Sequence, residues 1–131
     1  MRFVYDLTVP ADTAAKDPEM VNISLVRGTL TNVGIWFRAG PHNQVSVVVL
    51  DKILQIVPSA VGTAMTGNDV HYKVPMDYEL DNIIHELTLS GWSPDTGYEH
   101  KVTFFFDVTP LDLSEKEAIQ ELLTLLVPKG R

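Results

Sequence analysis

The chain has 131 residues, 45% hydrophobic and 21% charged, with 8 Gly, 8 Pro, no Cys and a formal net charge of −7. That length fits one globular domain, and the apolar content excludes a wholly disordered chain, which cannot bury enough surface to offset its conformational entropy. Without cysteine there is no disulfide, no thiolate nucleophile and no Cys-ligated zinc or iron–sulfur site; the excess of 17 Asp and Glu over 10 Lys and Arg is the wrong sign for direct nucleic-acid binding, in which cations replace phosphate counterions.

Phe3, Tyr5, Leu7 and Val9 alternate with Asp6 and Thr8 and predict a half-buried strand ended by Pro10. Asp6 interrupts the only early apolar stretch, so no signal peptide is expected. The longest apolar runs, residues 47–50 and 104–106, fall far short of the ~20 residues a membrane-spanning helix needs, and the expectation is a soluble protein. Residues 11–20, with Asp12, Lys16, Asp17 and Pro18, read as a surface connection.

Ile23 and Leu25 mark a second strand, which Gly28 separates from a third over residues 29–37. There Val33, Ile35 and Phe37 share one face, and Asn32, Gly34 and Trp36 the other. The turn formers of residues 38–43 predict a loop tip. The β-branched run 44–50 and the apolar run 53–57, joined through Asp51 and Lys52, predict a hairpin with a tight turn. Residues 59–69 are small or polar and read as a long exposed loop, a candidate functional surface.

Val70, Tyr72, Val74 and Met76 alternate with His71, Lys73 and Pro75; because Pro75 has no N–H to give a ladder, this strand lies at an edge or finishes there. Residues 83–90 supply a further strand. After the turn-rich stretch 91–97, the clearest alternation of the chain places His100, Val102, Phe104, Phe106 and Val108 on one face and Glu99, Lys101, Thr103, Phe105 and Asp107 on the other. Beyond Pro110, Ser114-Glu115-Lys116-Glu117 matches a capping box, Ala118, Ile119, Leu122, Leu125 and Leu126 form an apolar stripe, and Pro128-Lys129-Gly130 supplies a stop.

About eight strands with Gly and Pro turns and no βαβ alternation predict an all-β fold, an antiparallel, jelly-roll-like β-sandwich over residues 1–110. Residues 111–131 are expected to form a helical tail with one C-terminal α-helix, packed on the same domain or on a neighbouring subunit.

No pattern for chemistry emerges. The nucleophile elbow Gly-x-Ser-x-Gly and both phosphate-binding glycine motifs are missing, and His42, His71, His85 and His100 lie on separate segments, so no catalytic residue, cofactor or metal site is expected. His100 reads as a histidine bonded to a backbone carbonyl near the strand end. Asp77, Glu79 and Asp81 alternate as hard-cation ligands can, but a solvated acidic turn is the simpler reading, since the glycine and spacing of a calcium loop are missing. Trp36 reads as core packing and Trp92 as a loop plug. Phe105 differs from these. It falls on the polar face of its strand, where it is either covered by the C-terminal helix or presented as an interface anchor. With Ile119, Leu122 and Leu126 of the helix stripe it makes the expected interface.

The segments Gly28-Thr29-Leu30-Thr31-Asn32-Val33 running to Ala39-Gly40-Pro41, then Gln55-Ile56-Val57-Pro58, Gly91-Trp92-Ser93-Pro94-Asp95 and Tyr98-Glu99-His100 resemble short uncharacterised structural proteins of phages and virus-like elements over residues 21–109. The resemblance implies a shared fold more than a shared reaction. It implies a small virion component, namely a minor capsid, decoration, vertex or tail-associated subunit, found in the virion or in the host cytoplasm during assembly. The expectation is therefore a non-enzymatic structural protein that contacts itself or other virion proteins, with no nucleic acid and no membrane. The alternative is a small β-sandwich carbohydrate- or ligand-binding module whose contact surface is Trp92, Tyr98 and the loop 59–69.

Overall fold

A computed structural model describes residues 1–111, with strands β1 (Arg2–Val9), β2 (Glu19–Phe37), β3 (Ser46–Asp51), β4 (Leu54–Val57), β5 (Met65–Thr66), β6 (Val70–Trp92) and β7 (His100–Pro110). All pairing is antiparallel, in the order β1-β7-β2-β6-β3-β4, with β5 beside β3. The all-β antiparallel fold expected from the alternation is the one observed, but the strands are divided differently. The predicted strands on either side of Gly28 are one strand, β2, and those at 70–76 and 83–90 are one strand, β6. The predicted C-terminal helix, with Ile119, Leu122 and Leu126, lies outside the described residues.

Laid straight, β6 with its 23 residues would be roughly 75 Å long at ~3.3 Å per residue, about twice the ~35 Å diameter of a domain this size. The β2–β6 ladder therefore bends, and it does so where its register breaks, between Val26 and Gly28 and between Leu30 and Asn32. Gly28 has φ 155°, and a Cβ there would lie 2.2 Å from the Thr109 carbonyl oxygen, so no side chain fits at the corner. Residues 28–37 of β2 and 70–80 of β6 form a first layer with β7 and β1. Residues 19–26 of β2 and 84–92 of β6 form a second layer with β3 and β4.

The inner faces of the two layers meet. A Cβ on Gly91 of the second layer would stand 2.8 Å from Val9 Cγ2 and 2.9 Å from Leu7 Cδ2 of β1, and the Tyr5 hydroxyl donates to the Ser24 carbonyl at 2.6 Å. Val33, Ile35, Phe37, Phe104 and Phe106 from the first layer and Ile23, Leu25, Val47, Leu87 and Leu89 from the second are buried in one apolar cluster. On its side away from β2, β6 meets β3 only from Thr88 to Trp92, so Pro75 stands on a free edge, as its missing N–H requires.

Four expectations are corrected. Trp36 is not core: it is 39% exposed, because Val33, Ile35 and Phe37 take the inner face and leave it on the outer one. Asp77, Glu79 and Asp81 lie on β6 instead of in a turn. The stretch 59–69 contains β5 and is gathered in by the Gln55 amide, which donates to the carbonyls of Pro58, Ala60 and Thr63 at 2.7, 3.1 and 3.0 Å; only its first five residues and Asp69 are exposed. His100 is half-buried opposite Val9, and its ring makes no hydrogen bond to a carbonyl among the described residues.

Replacing Gly28 with Ala should lower the unfolding free energy by on the order of 3 kcal/mol, because a Cβ forces the corner open. Urea denaturation of both proteins measures this, and an unchanged midpoint would show that the corner does not depend on that close approach.

Candidate functional site

Residues opposite one another in an antiparallel ladder point to the same side, so the register fixes which side chains share the outer face of the first layer. One row holds Asp6, Thr103, Trp36 and His71; the next Val4, Phe105, Gly34 and Lys73; the third Arg2, Asp107, Asn32 and Pro75. Gly34 shapes the centre, since a Cβ there would lie 2.9 Å from His71 Nε2 and 3.3 Å from Phe105 Cβ. Its absence lets the His71 ring lean across β2 and stack on Phe105, with centroids 5.3 Å apart and planes at 29°. From the other side, where β1 flanks β7, the Arg2 guanidinium lies over the same ring at 5.6 Å. The predicted anchor Phe105 is thus on the outer face and half-buried, held between Arg2 and His71.

A second cation–aromatic pair lies beside it. Arg38 sits 4.4 Å from the Trp36 ring centroid and donates to the Lys101 carbonyl at 3.0 Å and to Thr103 Oγ1 at 2.9 Å; Thr103 donates onward to Asp6 at 2.6 Å. Asp107 accepts from Arg2 at 2.7 Å and from Asn32 at 3.3 Å, and the Arg2 hydrogen bond holds its carboxyl below the usual range, against the opposing effect of burial.

Charge is unevenly spread over this face. Arg2, Arg38, Lys73 and Lys101 stand on it, four of the seven basic residues in the described chain, whereas only Asp6 and Asp107 among the acids accompany them in these rows. Past the Asn32 row, toward the corner, the sign reverses. There Asp77, Glu79 and Asp81, with Arg27, Thr29 and Thr109, line a hollow of about 600 Å³.

A second cluster ties the β3–β4 hairpin to β6. Tyr78 donates to Asp51 Oδ2 at 2.5 Å, His85 Nε2 meets the same oxygen at 2.9 Å, and Asn82 Nδ2 lies 3.4 Å from His85 Nδ1. Burial and the adjacent carboxylate push the Tyr78 hydroxyl up to about 12. For Asp51, burial opposes ionisation, but hydrogen bonds from Tyr78 and His85 outweigh it and hold the carboxyl below its usual range. Both ring nitrogens of buried His85 are engaged, so the arrangement anchors the hairpin. Nothing in the local spacing brings Asp51 to His85, 34 residues away; the one available signal is that His85 falls in period two with buried Leu87 and Leu89.

The residues expected for the alternative reading are not joined. Trp92 ends β6 half-buried opposite Ser46, Tyr98 is 78% exposed before β7, and no ring contact connects them among the described residues. No group of three or more His, Asp or Glu is placed to hold a metal ion among the described residues, so the outward-pointing Asp77 and Glu79 form no such site with Asp81. No described helix is long and apolar enough to cross a membrane.

No protein-family model matches the sequence, and no curated protein does. Among solved structures, the chain is similar to a family two carbohydrate esterase from Cellvibrio japonicus, with 11% identity, a TM-score of 0.33, and 85% of this chain and 37% of that chain covered. The chain therefore spans little more than a third of that protein, and a likeness at this level assigns neither fold family nor activity.

The Asp51 cluster makes stability depend on acidity in a defined direction. Because the carboxyl titrates lower in the folded chain than its ordinary 3.8, its contribution is complete above that value and is lost as pH falls through the folded one. The protein should lose melting temperature between about pH 5 and pH 2, and Asp51→Asn should flatten part of that slope; thermal melts of both proteins across the range check it, and identical slopes would assign the loss to other carboxylates.

Proposed function

We propose that this protein is a non-enzymatic structural subunit that works by protein–protein contact through the outer face of its first layer. The observation that supports the reading is the cluster of Trp36, Phe105 and His71 on a solvent-facing sheet surface, braced by Arg2 and Arg38, with Val4 54% exposed beside them. Aromatic and arginine side chains held rigid at the centre of a surface are the residue types that dominate interface energetics. The resemblance to phage and virus-like-element proteins supplies the setting, a small virion component such as a minor capsid, decoration, vertex or tail-associated subunit.

Carbohydrate binding is the competing reading, and ring geometry separates the two. Stacking on a sugar requires an open aromatic face. Of the residues expected for sugar binding, Tyr98 is exposed but has no ring contact with Trp92 among the described residues, so the two form no common platform; on the proposed face Phe105 has Arg2 on one side and His71 on the other, and Trp36 carries Arg38. Those rings are better suited to edge and side contacts with another protein than to a pyranose.

The solution mass by light scattering, for the wild type and for Phe105→Ser, tests the proposal. A discrete oligomer is expected, with the variant shifted toward monomer by at least about tenfold in dissociation constant while its far-ultraviolet strand signal is unchanged. A monomeric wild type that is indifferent to Phe105→Ser and retained by immobilised glycans would overturn it.

A further inference from the structure

The outer face of the first layer divides about the row Arg2, Asp107, Asn32 and Pro75, which is internally neutral through the Arg2–Asp107 pair. On one side of it stand His71, Lys73, Lys101 and the Trp36–Arg38 pair, with Asp6 as the one acid; on the other stand Asp77, Glu79 and Asp81, with Arg27 as the one base, around the hollow floored by Gly28 and Thr29. Lys73, Lys101, Asp77 and Glu79 have no ion-pair partner among the described residues. Trp36 and the Gly28–Thr29 floor flank Asn32 at comparable distances along β2, roughly 12 Å either way at ~3.3 Å per residue.

Turning a second copy over about an axis lying along that row superposes residues 28–36 of β2, 70–80 of β6 and 104–110 of β7 on their own mates in reverse, while β1, which begins at the row, runs clear of its mate. Basic then meets acidic twice, Lys73 over the other copy's Asp77 and the other copy's Lys73 over Asp77. The projecting Trp36–Arg38 pair of each copy comes over the acidic hollow of the other, so shape and charge are complementary under the same operation. No equivalent match arises from an axis parallel to the strands, which leaves like ends together.

We infer that the partner of this face is a second copy of the chain, docked face to face and antiparallel in a self-complementary dimer. This deepens the assembly reading above and rests on it. The overlap is of the size of a weak pair: nine residues of β2, eleven of β6 and seven of β7 at ~4.8 Å spacing and ~3.3 Å per residue give roughly 430 Å² per copy, or about 860 Å² in total, so charge complementarity carries the contact. A closed twofold contact leaves the second layer and its edges free for other partners.

Charge exchange tests it with the intact chain. Lys73→Glu and Asp77→Lys replace exposed side chains, so folding should be unaffected. Each alone brings like charges together twice, and the dimer, of twice the 14.6 kDa chain mass, should weaken by at least about tenfold in low salt. Mixing the two variants restores opposite charges at both contacts, and so does combining them in one chain; light scattering should then recover the dimer. A wild-type oligomer that ignores both reversals, or a mixture no stronger than either variant, overturns this geometry while leaving assembly through another surface in place. A wild-type monomer overturns both the dimer and self-assembly.

Discussion

The β2–β6 ladder runs from the pair Glu19–Gly91 to the pair Phe37–Val70 and is interrupted only near the corner. Because the same two strands enter both layers, the layers are joined by continuous hydrogen-bonded backbone instead of by loops alone. The bend at Gly28 therefore sets how the inner faces close on one another and also where the outer face of the first layer ends. The hollow beside Thr29 and Thr109 is a by-product of that bend: the strands turn away there and leave Asp77 and Glu79 at the rim of a flat surface. Fold and candidate surface thus share one geometric cause.

Much of this was legible in the amino-acid order where one face is dry and the other wet. The alternation in β1 and β7 gave the right faces, and the hairpin through Asp51 and Lys52 forms as expected, with Lys52 adopting φ 57° at the turn. The continuity of β2 and β6 was hidden because Gly28 and the polar stretch near Asp81 and Asn82 look like breaks when strands are assumed short. Trp36 was misplaced because large aromatics are usually buried. Its exposure follows from parity, and its stacking partner Arg38 comes from the adjoining strand end. The stacking of His71 on Phe105 was beyond reach, since it depends on which residue of β6 faces Gly34. That register is set by the bulges, and no local spacing records it.

Average charge proved a poor guide to surface charge. A chain with a net charge of −7 still collects four cations on one face, because β1, β7 and β6 and the residue that follows β2 each place a basic side chain on the same side of the sheet. Segregation of this kind produces a local field opposite in sign to that of the whole molecule, and local fields steer encounters between surfaces. Arg2 and Arg38 among these cations are already fixed by stacking and hydrogen bonding, so less side-chain freedom is lost there when a partner arrives. The Asp51–Tyr78–His85 cluster keeps the β3–β4 hairpin in place, and Glu79 and Asp81 border it as well as the corner hollow.

The pairing of β1 with β7 has a temporal consequence. Arg2 and Asp107 are 105 residues apart in the chain, so during synthesis the first strand emerges long before the strand that will receive it. Until then Phe3, Tyr5, Leu7 and Val9 form an apolar stripe on an unpaired strand, the kind of segment that chaperones bind and that aggregates when left uncovered. Joining strands this far apart carries the largest loop-closure cost of the sheet, a cost that is lower once the β2–β6 ladder offers a surface to close upon.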